Sequence, residues 1–164
     1  MSKRVDKINY YLDIAEIVSE RSTCLLKHYG CIIVKNDEII ATGYNGAPRG
    51  RKNCMDLECC TKKKIYPDIR HGGYDACRSV HAEQNAIISA ARKDMIGSTM
   101  YLVGKQKEDK GYAEGAMSCQ TCRKLIINAG IDKVIVRNSK TNYIEVDVDE
   151  WIKKDELLEG KTTY

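Results

Sequence analysis

The chain has 164 residues, 43% hydrophobic and 30% charged, with a net charge of +4. This is the profile of one soluble domain with enough core to fold alone, and it excludes a membrane protein, since no apolar run approaches spanning length. The charge is too mild and too evenly spread to point to nucleic acid. The densest basic cluster, Arg49, Arg51 and Lys52 followed by Lys62, Lys63 and Lys64, reads as a solvated face in preference to a phosphate site. Met1-Ser2-Lys3-Arg4 leads into a polar amphipathic stretch and not a signal peptide, so a cytoplasmic location is expected. Eight cysteines against three histidines (His28, His71 and His81) is a high thiol count for a reducing compartment. Metal binding explains it better than disulfides.

Residues 3–21 are predicted helical: Val5, Ile8, Leu12, Ala15 and Val18 recur at spacings of three and four and share one face. Arg21-Ser22-Thr23-Cys24 is the turn that ends this helix. Gly30 to Val34 reads as a buried strand, Lys35 to Glu38 as a polar turn, and Ile39 to Tyr44 as the returning strand. Cys31 lies inside the first apolar run and is expected to be a small core residue. Asn45-Gly46-Ala47-Pro48 closes the second strand; alone, Asn-Gly signals only a tight turn.

Residues 49–77 have no period, hold Cys54, Cys59, Cys60 and Cys77, and carry Gly72-Gly73 as a flexible joint. A loop this long inside a compact domain needs something to pin it. Residues 80–93 are predicted to form a helix packed through Ala86, Ile87, Ala90 and Ala91, stopped by Gly97, with a strand at 99–103. The charged, glycine-bearing stretch 104–118 reads as an insertion, either a lid or, in the favoured reading, a plain surface excursion. Residues 119–129 form the next predicted helix, with Gly130 at its C′ position. Residues 133–136 read as a strand, 143–146 as a short one, and 149–158 as a helix anchored by Trp151, Ile152 and Leu158. The last five residues read as frayed. Strands alternating with helices imply a single α/β domain over 1–164, with a mostly parallel or mixed sheet.

The chemistry concentrates in two motifs, His81-Ala82-Glu83 and Ser118-Cys119-Gln120-Thr121-Cys122. One imidazole and two thiolates suit zinc. Three protein ligands leave the fourth tetrahedral position open for water, as in catalytic zinc sites. Glu83 is close enough to shuttle a proton and free of the metal. Each motif opens a predicted helix, whose positive end favours thiolate at Cys119 and Cys122 and hydroxide on the metal. The competing reading is a structural zinc or unliganded core residues; Glu83 and the two helix starts argue against it.

His-x-Glu followed by Cys-x-x-Cys resembles the zinc-dependent nucleobase deaminases. Gly43-Tyr44-Asn45-Gly46-x-Pro48 narrows the resemblance to the deoxycytidylate deaminase branch of the cytidine/deoxycytidylate deaminase family. The likeness runs from Arg21-Ser22-Thr23-Cys24 to Gly130 and is densest over residues 81–87. Where the family has Pro before the first Cys of the pair, this chain has Ser118, whose hydroxyl can cap the helix.

This resemblance implies a cytidine deaminase-like three-layer α/β/α sandwich with a five-stranded mixed sheet. It implies a catalytic zinc on His81, Cys119 and Cys122, with Glu83 moving the proton, Asn45 holding the sugar, and Gly46 and Ala82 beside the substrate. The implied reaction is hydrolytic deamination at C4 of a cytosine nucleotide, best matched by dCMP going to dUMP and ammonia for thymidylate synthesis. A homo-oligomer, up to a hexamer, and dCTP and dTTP as effectors are further expectations of the branch. So is a second, structural zinc on Cys24, Cys54, Cys59 and Cys77, with Cys60 and His71 in reserve; reduced, partly buried thiols are the alternative. Two rival functions stay open. An editing deaminase acting on tRNA or single-stranded nucleic acid would want stacking aromatics along a groove, whereas this chain has no Phe and one Trp far from the motif. A non-catalytic zinc module that binds nucleotides would have no use for Glu83.

Overall fold

The computed structural model describes residues 3–68 and 73–161. Its strands are β1 (Lys27–Lys35), β2 (Glu38–Tyr44), β3 (Thr99–Gln106), β4 (Lys133–Arg137) and β5 (Tyr143–Asp147). Its helices are α1 (Lys7–Ser19), α2 (Cys54–Leu57), α3 (Thr61–Ile65), α4 (Ala82–Ile88), α5 (Arg92–Met95), α6 (Gln120–Ala129) and α7 (Val148–Lys153), with a 3₁₀ turn at Tyr74–Ala76. The strands form one five-stranded sheet in the order β2-β1-β3-β4-β5. Only β3 and β4 run parallel; the other three pairs are antiparallel. The sheet is therefore mixed and not mostly parallel. The short turns between β1 and β2 and between β4 and β5 allow only antiparallel neighbours, whereas α6 supplies the crossover that a parallel pair needs.

Both faces of the sheet are covered, so the central strands read as continuous apolar runs and hide their alternation. Ile32, Val34, Tyr101, Val103 and Ile135 turn toward α1 and meet Tyr11, Leu12 and Ala15. Their neighbours Cys31, Ile33, Met100, Leu102, Val134 and Val136 turn the other way, onto Ala82, Ala86, Cys122 and Ile126. Cys31 is fully buried there.

Two glycines set how closely helices lie on the sheet. A Cβ on Gly30 would stand 2.0 Å from the Ala15 carbonyl oxygen, where α1 crosses β1. A Cβ on Gly43 would stand 2.3 Å from the Ala82 carbonyl oxygen and 2.4 Å from the Ala86 nitrogen, where α4 crosses β2.

Several boundaries differ from expectation for local reasons. The first helix starts at Lys7 because Asp6 caps it, accepting from the Asn9 N–H at 3.0 Å; Val5 precedes it and is exposed. The predicted helix over 80–93 is two helices, the first closing where Ser89 Oγ donates back to the Asn85 carbonyl at 2.7 Å. Strand β1 begins at Lys27 and β3 runs on to Gln106, since the two pair end to end. The aperiodic stretch 49–77 contains α2, α3 and the 3₁₀ turn. Among the described residues, no helix is long and apolar enough to cross a membrane.

Candidate active site

His81 stands at the entrance to α4. It caps that helix with an extended backbone, and its N–H donates to Gln84 Oε1 at 3.0 Å. Cys119 does the same for α6, its Sγ accepting from the Cys122 N–H at 3.5 Å. A helix start leaves backbone N–H groups without partners, and the side chain that answers them is fixed in direction. The spacing of three then puts Cys122 on the same side as Cys119. Ser118 does not cap, because the Cys119 sulfur has taken that place; its buried side chain instead lies against Glu83, where a hydrogen bond acts to lower the carboxyl against burial.

The two helix starts converge. His81 Nδ1 lies 3.5 Å from Cys119 Sγ and 3.3 Å from Cys122 Sγ, and the three ligand atoms fall within 4.8 Å of one another. No other trio of His, Cys, Asp or Glu among the described residues is drawn together in this way. The hydrogen bond from Cys122, with His81 acting against burial, lowers the Cys119 thiol to about 4, and the same bond raises Cys122. The lowered Cys119 thiol favours the thiolate that a metal ion needs. At His81 burial pulls the imidazole down, but the bond to Cys119 and the nearby negative charges outweigh it and raise it. Two sulfurs and one nitrogen are a zinc donor set.

Glu83, in the first turn of α4, is 5% exposed, and burial is the main cause that raises its carboxyl. It opens with His81, Ala82 and Cys119 onto a cavity of about 460 Å³, enough for a small ligand. Asn45 also lines this cavity, but its side chain is engaged within the protein. Its Oδ1 accepts from Ser22 Oγ at 2.6 Å and from the Tyr29 N–H at 2.8 Å, while Nδ2 donates to the Lys27 carbonyl at 2.9 Å. Gly46 pairs with Val80 in both directions, at 2.8 and 3.2 Å, tying the Asn45 turn to the approach to His81.

The thiols of the expected second site lie nearby. Cys54 is raised first by burial, then by the charges of Cys24, Cys77 and Cys60. Cys60 therefore stands among the neighbours of Cys54, and Cys24, Cys60 and Cys77 also line the cavity. His71 lies outside the described residues.

Three further residues line the cavity: Tyr74 and Met117, which carried no signal in the sequence, and Lys62, which was expected on a solvated face. Tyr74 sets its ring edge-on to His81, with centroids 4.8 Å apart and planes at 81°. Lys62 lies over Tyr74, its Nζ 4.5 Å from the ring centroid. Met117 belongs to the stretch expected to be a surface excursion, of which only the middle is one. After the exposed turn at 107–110 the chain folds back, Tyr112 bridging to Lys105; Ala113 and Ala116 are buried, and Glu114, Gly115 and Met117 form cavity wall. The local charge density concealed that return.

Residues 5–138 match the family described as the cytidine and deoxycytidylate deaminase zinc-binding region. A deoxycytidylate deaminase of Mycobacterium phage D29 is 32% identical over 136 residues, which cover 80% of this chain and 94% of the relative. One from Schizosaccharomyces pombe is 31% identical over 131 residues, 80% of this chain but 37% of that longer protein. Among solved structures, the dCMP deaminase of cyanophage S-TIM5 in apo form aligns with a TM-score of 0.56 at 29% identity, over 84% of this chain and 86% of that one. The same enzyme in complex with dCMP and dUMP aligns at 0.53 and 27%, over 84% and 85%. With the His-Cys-Cys cluster inside the matched region, the chain belongs to the cytidine and deoxycytidylate deaminase family.

Proposed function

We propose that this protein hydrolyses the exocyclic amine of dCMP, giving dUMP and ammonia for thymidylate synthesis. The observation that carries the proposal is Glu83, buried beside the His81–Cys119–Cys122 cluster at a ligand-sized cavity, in a chain related to dCMP deaminases. His81, Cys119 and Cys122 hold the zinc, which when bound supplies the Lewis acidity that makes water a nucleophile near neutral pH. Glu83 takes the proton that water gives up, passes it to the ring nitrogen, and later returns a proton to the departing amine. Water adds at C4, the C4–N bond breaks, and ammonia leaves, so no oxidant or further co-reactant is consumed. Ala82 and Tyr74 border the reacting position.

A second, structural zinc on Cys24, Cys54, Cys60 and Cys77 is part of the proposal; the mutual influence of these thiols and the need to brace residues 49–77 support it. The homo-oligomer and the dCTP and dTTP effectors rest on family resemblance and are proposed on that ground; the cytoplasmic location is proposed on the sequence reading alone. Ammonia release with dCMP, with cytidine and with a single-stranded oligonucleotide tests the function. Turnover of dCMP is the expected result; turnover of the oligonucleotide alone would instead select the editing reading, and none at all the non-catalytic one.

A further inference from the structure

We infer that Lys62 selects a 5′-phosphorylated cytosine nucleotide over its nucleoside by meeting the phosphate at the cavity wall. This rests on the deamination proposed above. The basic run Lys62-Lys63-Lys64 is not one solvated face: Lys63 and Lys64 are exposed, while Lys62 is half-buried and lines the cavity that holds Glu83. Its ammonium lies over the Tyr74 ring, and that ring stands against His81, so the charge sits one aromatic ring away from the zinc ligands.

The rest of the molecule shows what is unusual about it. Lys105 and Arg123 also lie against aromatic rings, Tyr112 and Trp151, but each is paired with a carboxylate, Glu16 at 2.8 Å and Glu156 at 3.1 Å. Among the described residues, Lys62 makes no such pair. With no carboxylate tied to it, the Lys62 charge at the cavity wall stays available to an anion that enters. Its position is also built and not incidental. Thr61 Oγ1 donates to the Ala76 carbonyl at 2.9 Å and the Tyr66 hydroxyl to Asp75 Oδ2 at 3.2 Å, bracing α3 against the turn that carries Tyr74. The ammonium therefore needs little ordering on binding. Lys27, exposed at the same cavity, adds a second positive charge, while Glu114 keeps a carboxylate at another part of the wall. A phosphate takes a lysine as a point charge.

The test compares wild type, Lys62→Met and Lys62→Arg on dCMP and on deoxycytidine, with kcat and KM read separately and melting temperatures recorded. Lys62→Met keeps most of the aliphatic stem over Tyr74 and removes the charge. We expect its KM for dCMP to rise by about 10- to 100-fold, the scale of a hydrogen bond to a charged group. Its kcat should stay within about twofold, its kcat/KM for deoxycytidine should be unchanged, and Lys62→Arg should recover most of the loss. Equal losses on both substrates, or an unchanged KM for dCMP, would overturn the inference and leave Lys62 a brace for Tyr74. Should Lys62→Met not fold, the salt dependence of wild type decides: KM should climb with ionic strength for dCMP and not for deoxycytidine, and parallel curves refute the assignment. A wild type without activity on dCMP removes the proposed function and this inference together, whereas an active wild type with an indifferent Lys62→Met removes this inference alone.

Discussion

At Glu83 and Asn45, single side chains separate the proposed chemistry from support of the fold. Glu83 is nearly buried and opens onto the cavity, so exchanging its carboxylate for an amide changes its proton affinity and little of its volume. Glu83→Gln should lower turnover by ~10²–10⁴, with zinc content and melting temperature held at wild-type levels; ammonia release and metal analysis check this, and comparable turnover would remove the assigned role. Asn45 has a heavier structural load, since its amide joins Ser22, Tyr29 and Lys27 across the base of the cavity. Asn45→Ala leaves a buried hydroxyl and a backbone N–H without their acceptor, a loss of about 1–3 kcal/mol. Urea unfolding should show that loss beside a raised KM for dCMP. A normal unfolding curve with only KM affected would make Asn45 a substrate contact and nothing more.

Elements are held in register by two devices on opposite faces of the sheet. On one face Arg137, fully buried on β4, reaches α1: Nη1 donates to Asp13 Oδ1 at 2.7 Å and Glu16 Oε2 at 2.9 Å, and Nη2 to Asn9 Oδ1 at 3.0 Å. Glu16 also accepts from Lys105 Nζ at 2.8 Å and the Tyr112 hydroxyl at 2.9 Å, so the segment that returns to the cavity wall hangs from α1. Burial alone would raise the Glu16 carboxyl, but these three donors outweigh it and bring it down from 4.5 to about 2. A carboxylate depressed by folding stabilises the fold above its unfolded value. Its contribution is lost as the pH falls from about 4.5 toward about 2. Acid unfolding followed by circular dichroism should show that loss in wild type, and the pH slope should flatten in Glu16→Gln; equal slopes would show that Glu16 titrates alike in both states.

On the other face, α4 lies directly on Gly43. Gly43→Ala forces a methyl against two backbone atoms of the helix that carries His81 and Glu83. We expect about 1–3 kcal/mol of destabilisation together with reduced zinc retention on dialysis. A variant that melts early yet keeps its zinc would mean that α4 yields without moving its first turn.

For the whole molecule, the proposed second zinc would decide how the longest irregular segment is held. Cys24 follows α1, Cys54 and Cys60 lie in the aperiodic stretch, and Cys77 approaches His81, so one ion there joins parts of the chain that the sheet does not. Metal analysis should find about two zinc per chain, as expected for one open and one closed site. Cys60→Ser should remove one of them and weaken dCMP binding, because Cys24, Cys60 and Cys77 face the cavity. Cys59→Ser should leave the count alone. A single zinc in wild type would mean that these thiols are held by packing.

What the sequence showed by itself was which residues meet at the candidate site and the order of the strands and longer helices. His81, Glu83, Cys119 and Cys122 are legible because their spacing belongs to two helix starts, and a helix start is a local structure that fixes side-chain direction without help from the rest of the chain. The strands around Cys31, Leu102 and Ile135 were legible as apolar runs, although coverage of both faces erased the period that would have told one face from the other. Tertiary structure alone decided that Cys60 lines the cavity with Cys24 and Cys77, that Tyr74 stands against His81 with Lys62 over its ring, and that Glu114, Gly115 and Met117 are cavity wall. It also decided that Arg137, written as an ordinary charged residue at a strand end, is fully buried among α1 acceptors. These assignments depend on contacts between residues far apart in the chain, in segments without a period. There a side chain's direction is set by what packs against it, and not by its neighbours in sequence.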